Sequence, residues 1–270
     1  MNDEDHRKEN APPTPELAVR AGRLAPLRGK AKEHFVEELF DRIANRYDLM
    51  NLVMTAGLLR YWQRVFAAHT GLQRGNTALD VCCGTGELAS IMARQVGPEG
   101  WVEGIDLSEK MLQVGRRKLS RRPEGRWIRL QKGNALQLPY EDKRFDCVST
   151  GFAMRNVSDV RQAITEMARV LRPGGRVLCL ELSHPVNPLI KGPYQLYFRH
   201  LVPLMGRWAN NRADEKVMSP YTWLPESLRY FPDQEGLAGI FRQAGLEHVR
   251  YHNLTGGIVC LHVGEKPETE

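Results

Sequence analysis

Five short apolar runs, at positions 78–82, 102–105, 127–130, 145–150 and 177–182, recur along the chain with helix-patterned stretches between most of them. Strands that alternate with crossover helices pair in parallel, and their connections are right-handed. The pattern therefore specifies an α/β fold with a doubly wound, mainly parallel sheet. Ligands of such sheets sit beyond the carboxyl ends of the strands. Functional residues are accordingly expected in the loops after Cys82, Ile105, Leu130 and Thr150. Two helices precede the first strand. One starts at Lys32, with Val36, Leu39, Phe40 and Ile43 at helical spacing, and one covers 58–69. A last helix over 233–244 stops at Gly245, and two antiparallel strands close the chain.

The 270 residues suit one well-cored domain. Positions 1–31, with Pro12, Pro13, Pro15 and Pro26 and little periodicity, read as a flexible tail, leaving 32–270 as the folded domain. Residues 184–232 interrupt the rhythm with seven prolines and many aromatics, from Tyr194 to Trp223, and read as a helical insertion over the site. No stretch is long and apolar enough to span a bilayer, and the acidic start lacks an apolar leader. A soluble, cytoplasmic protein is expected, with contact at the inner face of a membrane left open. The five cysteines form no C-x-x-C pair and read as reduced. His248 and His252 fall on an expected strand that would hold them about 13 Å apart, so no metal is expected. Net charge is +6, with a focus from Arg116 to Lys132. No stacking platform accompanies this run, so it reads as a solvated helix end and strand edge rather than a nucleic-acid site.

The segment Asp80-Val81-Cys82-Cys83-Gly84-Thr85-Gly86-Glu87-Leu88-Ala89 is a strand entering a glycine turn that opens a helix. Gly84 and Gly86 let a ligand approach the backbone. Asp106 closes the next strand, where a carboxylate can accept ribose hydroxyls. The same glycines also fit a dinucleotide fingerprint. Three features favour S-adenosylmethionine: the acid Asp80 inside the strand, the helix before the motif, and Gly133-Asn134-Ala135 after the third strand. Asn134 can bond the adenine edge. Bland alternatives stand beside these: Asp106 as a helix cap, Asp80 as a buried carboxylate satisfied by backbone amides, and Asn134 as a turn.

Three further segments, Phe40-Asp41-Arg42-Ile43-Ala44-Asn45-Arg46-Tyr47-Asp48-Leu49-Met50-Asn51, Phe152-Ala153-Met154-Arg155-Asn156-Val157-Ser158-Asp159 and Asn253-Leu254-Thr255-Gly256-Gly257-Ile258-Val259, resemble the family of ubiquinone and menaquinone C-methyltransferases. The resemblance covers nearly everything after residue 32. It implies the seven-stranded, Rossmann-like fold of class I S-adenosylmethionine methyltransferases, with donor contacts at Thr85, Asp106, Asn134 and Ala135. It also implies methyl transfer to a ring carbon of a prenylated quinol. The Asp-Val-Cys-Cys-Gly-Thr loop and Cys179-Leu180-Glu181 are similar to the demethylmenaquinone branch, which makes menaquinol the expected product and a ubiquinone-pathway benzoquinol the alternative. An RNA methyltransferase and an NAD-dependent oxidoreductase rank below both. Gly151 stands where some members place a serine, and Ala153-Met154 replaces Gly-Leu.

Methylation at carbon requires an electron-rich ring and then loss of a ring proton, so a base or a held water is needed. By resemblance Arg155 orients that water, and its high pKa excludes it as the base itself. Tyr47 and Asp48 lie in the segment expected to cap the donor and are candidates for the proton path. A core role for Tyr47 and a helix-capping role for Asp48 are equally open. A membrane-partitioning acceptor further implies transient membrane-surface contact. The sequence leaves a homo-oligomer open.

Overall fold

The sheet is built outward from Thr77–Val81 (β1), which is buried along its whole length. A strand covered on both faces reads as a near-continuous apolar run, and Asp80 is the exception that needs a local explanation. Trp101–Asp106 (β2) and Phe145–Gly151 (β4) flank β1 in parallel. Ile128–Lys132 (β3) lies beyond β2, and Leu171–Leu182 (β5) lies beyond β4, again in parallel. Val259–Glu265 (β7) runs antiparallel to β5 and carries Glu247–Leu254 (β6) at the edge, which gives the order β3-β2-β1-β4-β5-β7-β6. This is the doubly wound, mainly parallel, seven-stranded sheet expected from the sequence. The computed structural model describes residues 28–55, 57–188 and 220–268, with positions 192, 194 and 196 between them.

The α-helices with described bounds are Gly29–Ile43 (α1), Tyr47–Met54 (α2), Leu59–His69 (α3), Glu87–Val96 (α4), Glu109–Leu119 (α5), Val160–Val170 (α6), Pro220–Arg229 (α7) and Gln234–Gln243 (α8). Side chains alternate across a strand, so each strand feeds two cores. Leu79, Val81, Val148 and Cys179 pack with Ile164 and Met167 of α6 and Phe241 of α8. Ala78, Cys147, Leu178 and Leu180 pack on the other face with Trp62 and Phe66 of α3 and Met92 of α4. Emptying either core at a fully buried phenylalanine, Phe66 in one or Phe241 in the other, costs about 3–5 kcal/mol. Ser108, Asp159 and Asp233 cap α5, α6 and α8 by accepting from Met111, Gln162 and Gly236 backbone N–H groups.

Several boundaries differ from expectation. The first helix begins at Gly29, so positions 29–31, assigned to the tail, form its first turn. Helix α2 was not anticipated; its eight residues are mostly apolar and show no clean stripe. Strand β5 begins at Leu171 rather than Val177, because Leu171 already pairs with Phe145 before a bulge restores the register at Cys147 and Arg176. Most of the expected insertion at 184–232, including Tyr197, Phe198 and Trp208, lies outside the described residues, as does the tail before residue 28. The part that is described contains α7, whose Trp223 packs edge-on against Phe35 of α1 at 5.0 Å. His248 and His252 both lie on β6, and His252 packs against His69 with ring centroids 4.4 Å apart and the planes tilted by 51°. All five cysteines are unbridged. No described helix is long and apolar enough to cross a membrane.

Candidate active site

Strand order reverses between β1 and β4, and a cleft of about 650 Å³ opens there at the carboxyl ends of the strands. Its floor comes from the four loops singled out in the sequence. Cys82 and Gly84 follow β1, Asp106 and Leu107 end β2, Asn134 to Leu136 follow β3, and residues 151–153 and 156–158 follow β4. Val36 and Phe40 of α1, together with Tyr47, close it from above. Two of the floor residues, Cys82 and Phe152, adopt positive φ of 56° although neither is glycine. Left-handed backbone costs an L-residue roughly 1–2 kcal/mol, and such strain clusters at ligand sites. Adjacent parallel strands β1 and β4 thus end in the same unfavourable turn, one on each side of the switch point.

The glycine loop is tied to the next strand. Gly84 has φ +55, and a side chain there would meet Met111 Cε at 3.2 Å. Its N–H donates to Asp106 Oδ2 at 2.8 Å, and Ser108 N–H donates to Asp106 Oδ1 at 2.9 Å. Each carboxylate oxygen keeps lone pairs for a ligand, because an ionised carboxylate has about four acceptor positions. Burial raises the Asp106 pKa, the two backbone bonds oppose that shift, and the nearby Asp41 and Glu37 carboxylates add to it. A cationic ligand relieves this crowding of negative charge.

Helix α1 straps the cleft. Lys32 donates to the carbonyls of Arg155 and Val157 at 3.1 and 2.6 Å. Burial, then Arg155, push the Lys32 pKa down to about 8. Glu33 accepts from Asn134 Nδ2 at 3.2 Å and from Ser158 Oγ at 2.7 Å. Glu37 holds Lys132, and Asp41 accepts from Ser108 Oγ. None of Lys32, Glu33, Glu37 or Asp41 was assigned a role from sequence. Their spacing of about one helical turn is what an ordinary solvated face also shows.

The expected site residues divide. Gly84, Asp106, Asn134, Ala135 and Tyr47 line the cleft. Asn134 is also an Asx-type turn, its Oδ1 accepting from Leu136 N–H at 2.9 Å. Burial raises the pKa of the Tyr47 phenol, which keeps it protonated and able to donate.

Asp80, Thr85, Gly86, Asp48 and Arg155 are not cleft-wall residues. Asp80 is fully buried behind the loop, accepting from Ala89 N–H and Ser149 Oγ, so the structural alternative describes it better than a donor contact. Thr85 donates to Asp48 Oδ1 and accepts from Lys118 Nζ, both at 2.7 Å. Lys118 in turn pairs with Asp48 and Glu87. Asp48 therefore anchors α2 to α5 rather than facing the cleft. Gly86 has φ +78 and abuts Leu119, so it shapes the turn into α4.

Arg155 turns away from the cleft. Its Nη1 donates to Glu181 Oε1 at 2.6 Å and to the Phe152 carbonyl at 2.5 Å. Glu181 also accepts from the Arg155 and Leu182 N–H groups, which locks the loop after β4 onto β5. A water-orienting Arg155 at the reacting centre is not what this geometry provides. Next to it, Asn156 lines the cleft, accepts from Trp223 Nε1 at 2.8 Å, and leaves its buried Nδ2 without a partner. Among the described residues no cluster of three His, Cys, Asp or Glu side chains has metal-ligand geometry.

Comparison with known proteins adds an independent line. Residues 28–266 match the model of the ubiE/COQ5 methyltransferase family. A demethylmenaquinone methyltransferase of Symbiobacterium thermophilum is 44% identical over 87% of this chain and 94% of its own length. A ubiquinone/menaquinone biosynthesis C-methyltransferase UbiE of Hahella chejuensis is 44% identical over 87% and 92%. Among solved structures, an S-adenosylmethionine-dependent methyltransferase of Thermotoga maritima, described as a possible histamine N-methyltransferase, has a TM-score of 0.58 at 21% identity over 85% of this chain and 98% of that one. At that identity the likeness concerns the fold, which is the class I methyltransferase fold.

Proposed function

The chain belongs to the ubiE/COQ5 methyltransferase family, and from that premise we propose that it methylates a ring carbon of demethylmenaquinol with S-adenosylmethionine, giving menaquinol. The observation that carries the reading is the cleft at the switch point. It joins a positive-φ glycine at 84, a doubly tethered Asp106 and the turn at Asn134–Ala135 under an acidic helix. These residues fit the donor. Asp106 retains acceptor sites for ribose hydroxyls, Asn134 and Ala135 flank an adenine, Gly84 leaves space for its backbone approach, and Glu33 and Asp106 suit positive charge.

S-adenosylmethionine supplies an already electrophilic methyl group. The protein's task is then to place the acceptor, favour its electron-rich form and exclude water. Tyr47 and the unpartnered Asn156 Nδ2 are donors on the wall for an acceptor oxygen. Arg155 acts as a positioning residue, setting Phe152 and Asn156 through Glu181. Val36, Phe40, Leu136 and Phe152 supply apolar walls for a fused aromatic ring and the start of its prenyl tail.

The naphthoquinol is preferred because relatives named for it align over most of both chains, at 40–44% identity. The Hahella relative, named for both quinones, keeps a benzoquinol as the second reading. Transfer of labelled methyl to chemically reduced demethylmenaquinol and demethylated benzoquinol, side by side and without oxygen, tests both. Label in the naphthoquinol supports the proposal, and preference for the benzoquinol corrects the branch. Donor binding without label in either refutes the acceptor class.

A further inference from the structure

Helix α2, the tight turn after it and the start of α3 carry an unusual surface. Leu49 is 63% exposed and Leu52 is 48% exposed, and Leu58 and Tyr61 are exposed as well. On a helix with about 100° per residue, Leu49 and Leu52 share one side of α2, and Tyr47 and Asn51 share the opposite side. The Tyr47 side faces the cleft. The leucine side faces outward, although burying it would be favourable by the usual area rule.

Charge around this patch has one sign. No Asp or Glu occurs between Asp48 and Asp80, while Arg60 and Arg64 follow the leucines on α3. Asp48 itself is neutralised by Lys118 at 2.7 Å. That ion pair ties α2 to α5, which carries Arg117 and is followed by Arg121. Neither Arg60, Arg64 nor Arg121 forms an ion pair among the described residues.

We infer that this helix–turn–helix segment is the surface on which the protein rests on an anionic lipid bilayer, with Leu49, Leu52, Leu58 and Tyr61 entering the interface and the arginines meeting lipid phosphates. Exposed leucines followed on the next helix by arginines outside any described ion pair fit that chemistry. The inference rests on the quinol reading for its purpose. A lipid-tailed acceptor leaving the bilayer under α2 would meet Tyr47, at the start of the same helix, on the cleft wall.

Flotation of the full chain with vesicles tests it, using equal phosphatidylcholine and phosphatidylglycerol against phosphatidylcholine alone. We expect binding to the anionic vesicles, at least about tenfold weaker for Leu49→Asp with Leu52→Asp. Each of Arg60→Glu and Arg64→Glu should weaken it roughly fivefold or more. Donor binding measured by calorimetry establishes that each variant is folded. If the leucine variant does not fold, Leu49→Trp with bromine-labelled acyl chains replaces it, and quenching beyond that of the wild-type tryptophans is expected. Wild-type protein that stays unbound, leucine variants that bind equally well, or an unquenched Trp at position 49 would overturn the inference. So would a concentration-dependent dimer abolished by the leucine changes, since that assigns the patch to a second copy. Methylation of a short-tailed, water-soluble quinol without vesicle binding would remove the surface and leave the proposed function. Vesicle binding without methylation of any quinol would do the reverse.

Discussion

Replacing Glu181 with alanine removes the only carboxylate paired with Arg155 among the described residues, and both side chains are almost fully buried. The guanidinium is then left in a site where its Nε already has no partner. Breaking one side of a buried ion pair costs about 3–5 kcal/mol, whereas replacing both sides with apolar groups of similar volume is often neutral. The alanine variant also strands the N–H groups of Leu182 and Arg155 that Glu181 now accepts. With a urea m-value of roughly 2 kcal/mol per M, the midpoint should fall by about 1.5–2.5 M. Arg155→Met alone should be similarly costly, because it leaves Glu181 charged and buried. The double variant Arg155→Met with Glu181→Ala should recover at least about 2 kcal/mol of the summed loss. Urea unfolding followed by circular dichroism at pH 7 measures all four corners of this cycle. Strictly additive single effects, or a Glu181→Ala cost under about 1 kcal/mol, would show that the pair does not hold the loop after β4.

Asp106→Ala should weaken donor affinity ten- to a hundredfold, since hydrogen bonds to a charged group contribute about 1.5–3 kcal/mol; unchanged affinity in calorimetry would take Asp106 out of the ribose site. Gly84→Ala should lower donor affinity and stability together by about 1–2 kcal/mol, because its φ is +55 and Met111 stands 3.2 Å from the added carbon. The Asp80 pKa is pushed up to about 7 by burial, so the folded chain binds more protons than the unfolded one between the two pKa values. Its contribution favours the folded state at acidic pH and fades as pH climbs through about 7. Asp80→Asn should therefore flatten the fall in stability between pH 5 and 8, by on the order of 2 kcal/mol, in paired urea titrations. An unchanged slope would assign the dependence elsewhere. Asn156→Ala should lower kcat for quinol methylation while leaving donor affinity near wild type, and a loss confined to donor binding would contradict its place on the acceptor side.

The strands and the glycine loop were legible because their signals are local. An apolar run bounded by turn residues, and an acid closing the next run, depend on near neighbours alone. Asp106 and Gly84 were therefore found where the cleft places them. Asp80 and Thr85 sit in the same motif but serve the loop from behind, and spacing cannot tell a residue that touches a ligand from one that braces the backbone. Asp48 and Arg155 show the same limit at longer range. Their partners, Lys118 and Glu181, are far along the chain, and only the fold decides which way each side chain turns. The polar face of α1 was read as nothing in particular for the same reason. Glu33, Glu37 and Asp41 show the spacing of any exposed helix, while the groups that make them useful lie between Ser108 and Ser158.

That separation bears on the order in which the molecule assembles during synthesis. Helix α1 is made first, yet Lys32 needs the carbonyls of Arg155 and Val157, and Glu33 needs Asn134 and Ser158. Until more than half of the chain has left the ribosome, the partners of Lys32 and the Ser158 partner of Glu33 do not exist. At 5–20 residues per second the Lys32 contacts wait roughly 6–25 s to form. The roof of the cleft is thus the first of the described helices to be made and among the last to complete its contacts, and chaperones have that interval in which to reach Val36, Leu39 and Phe40.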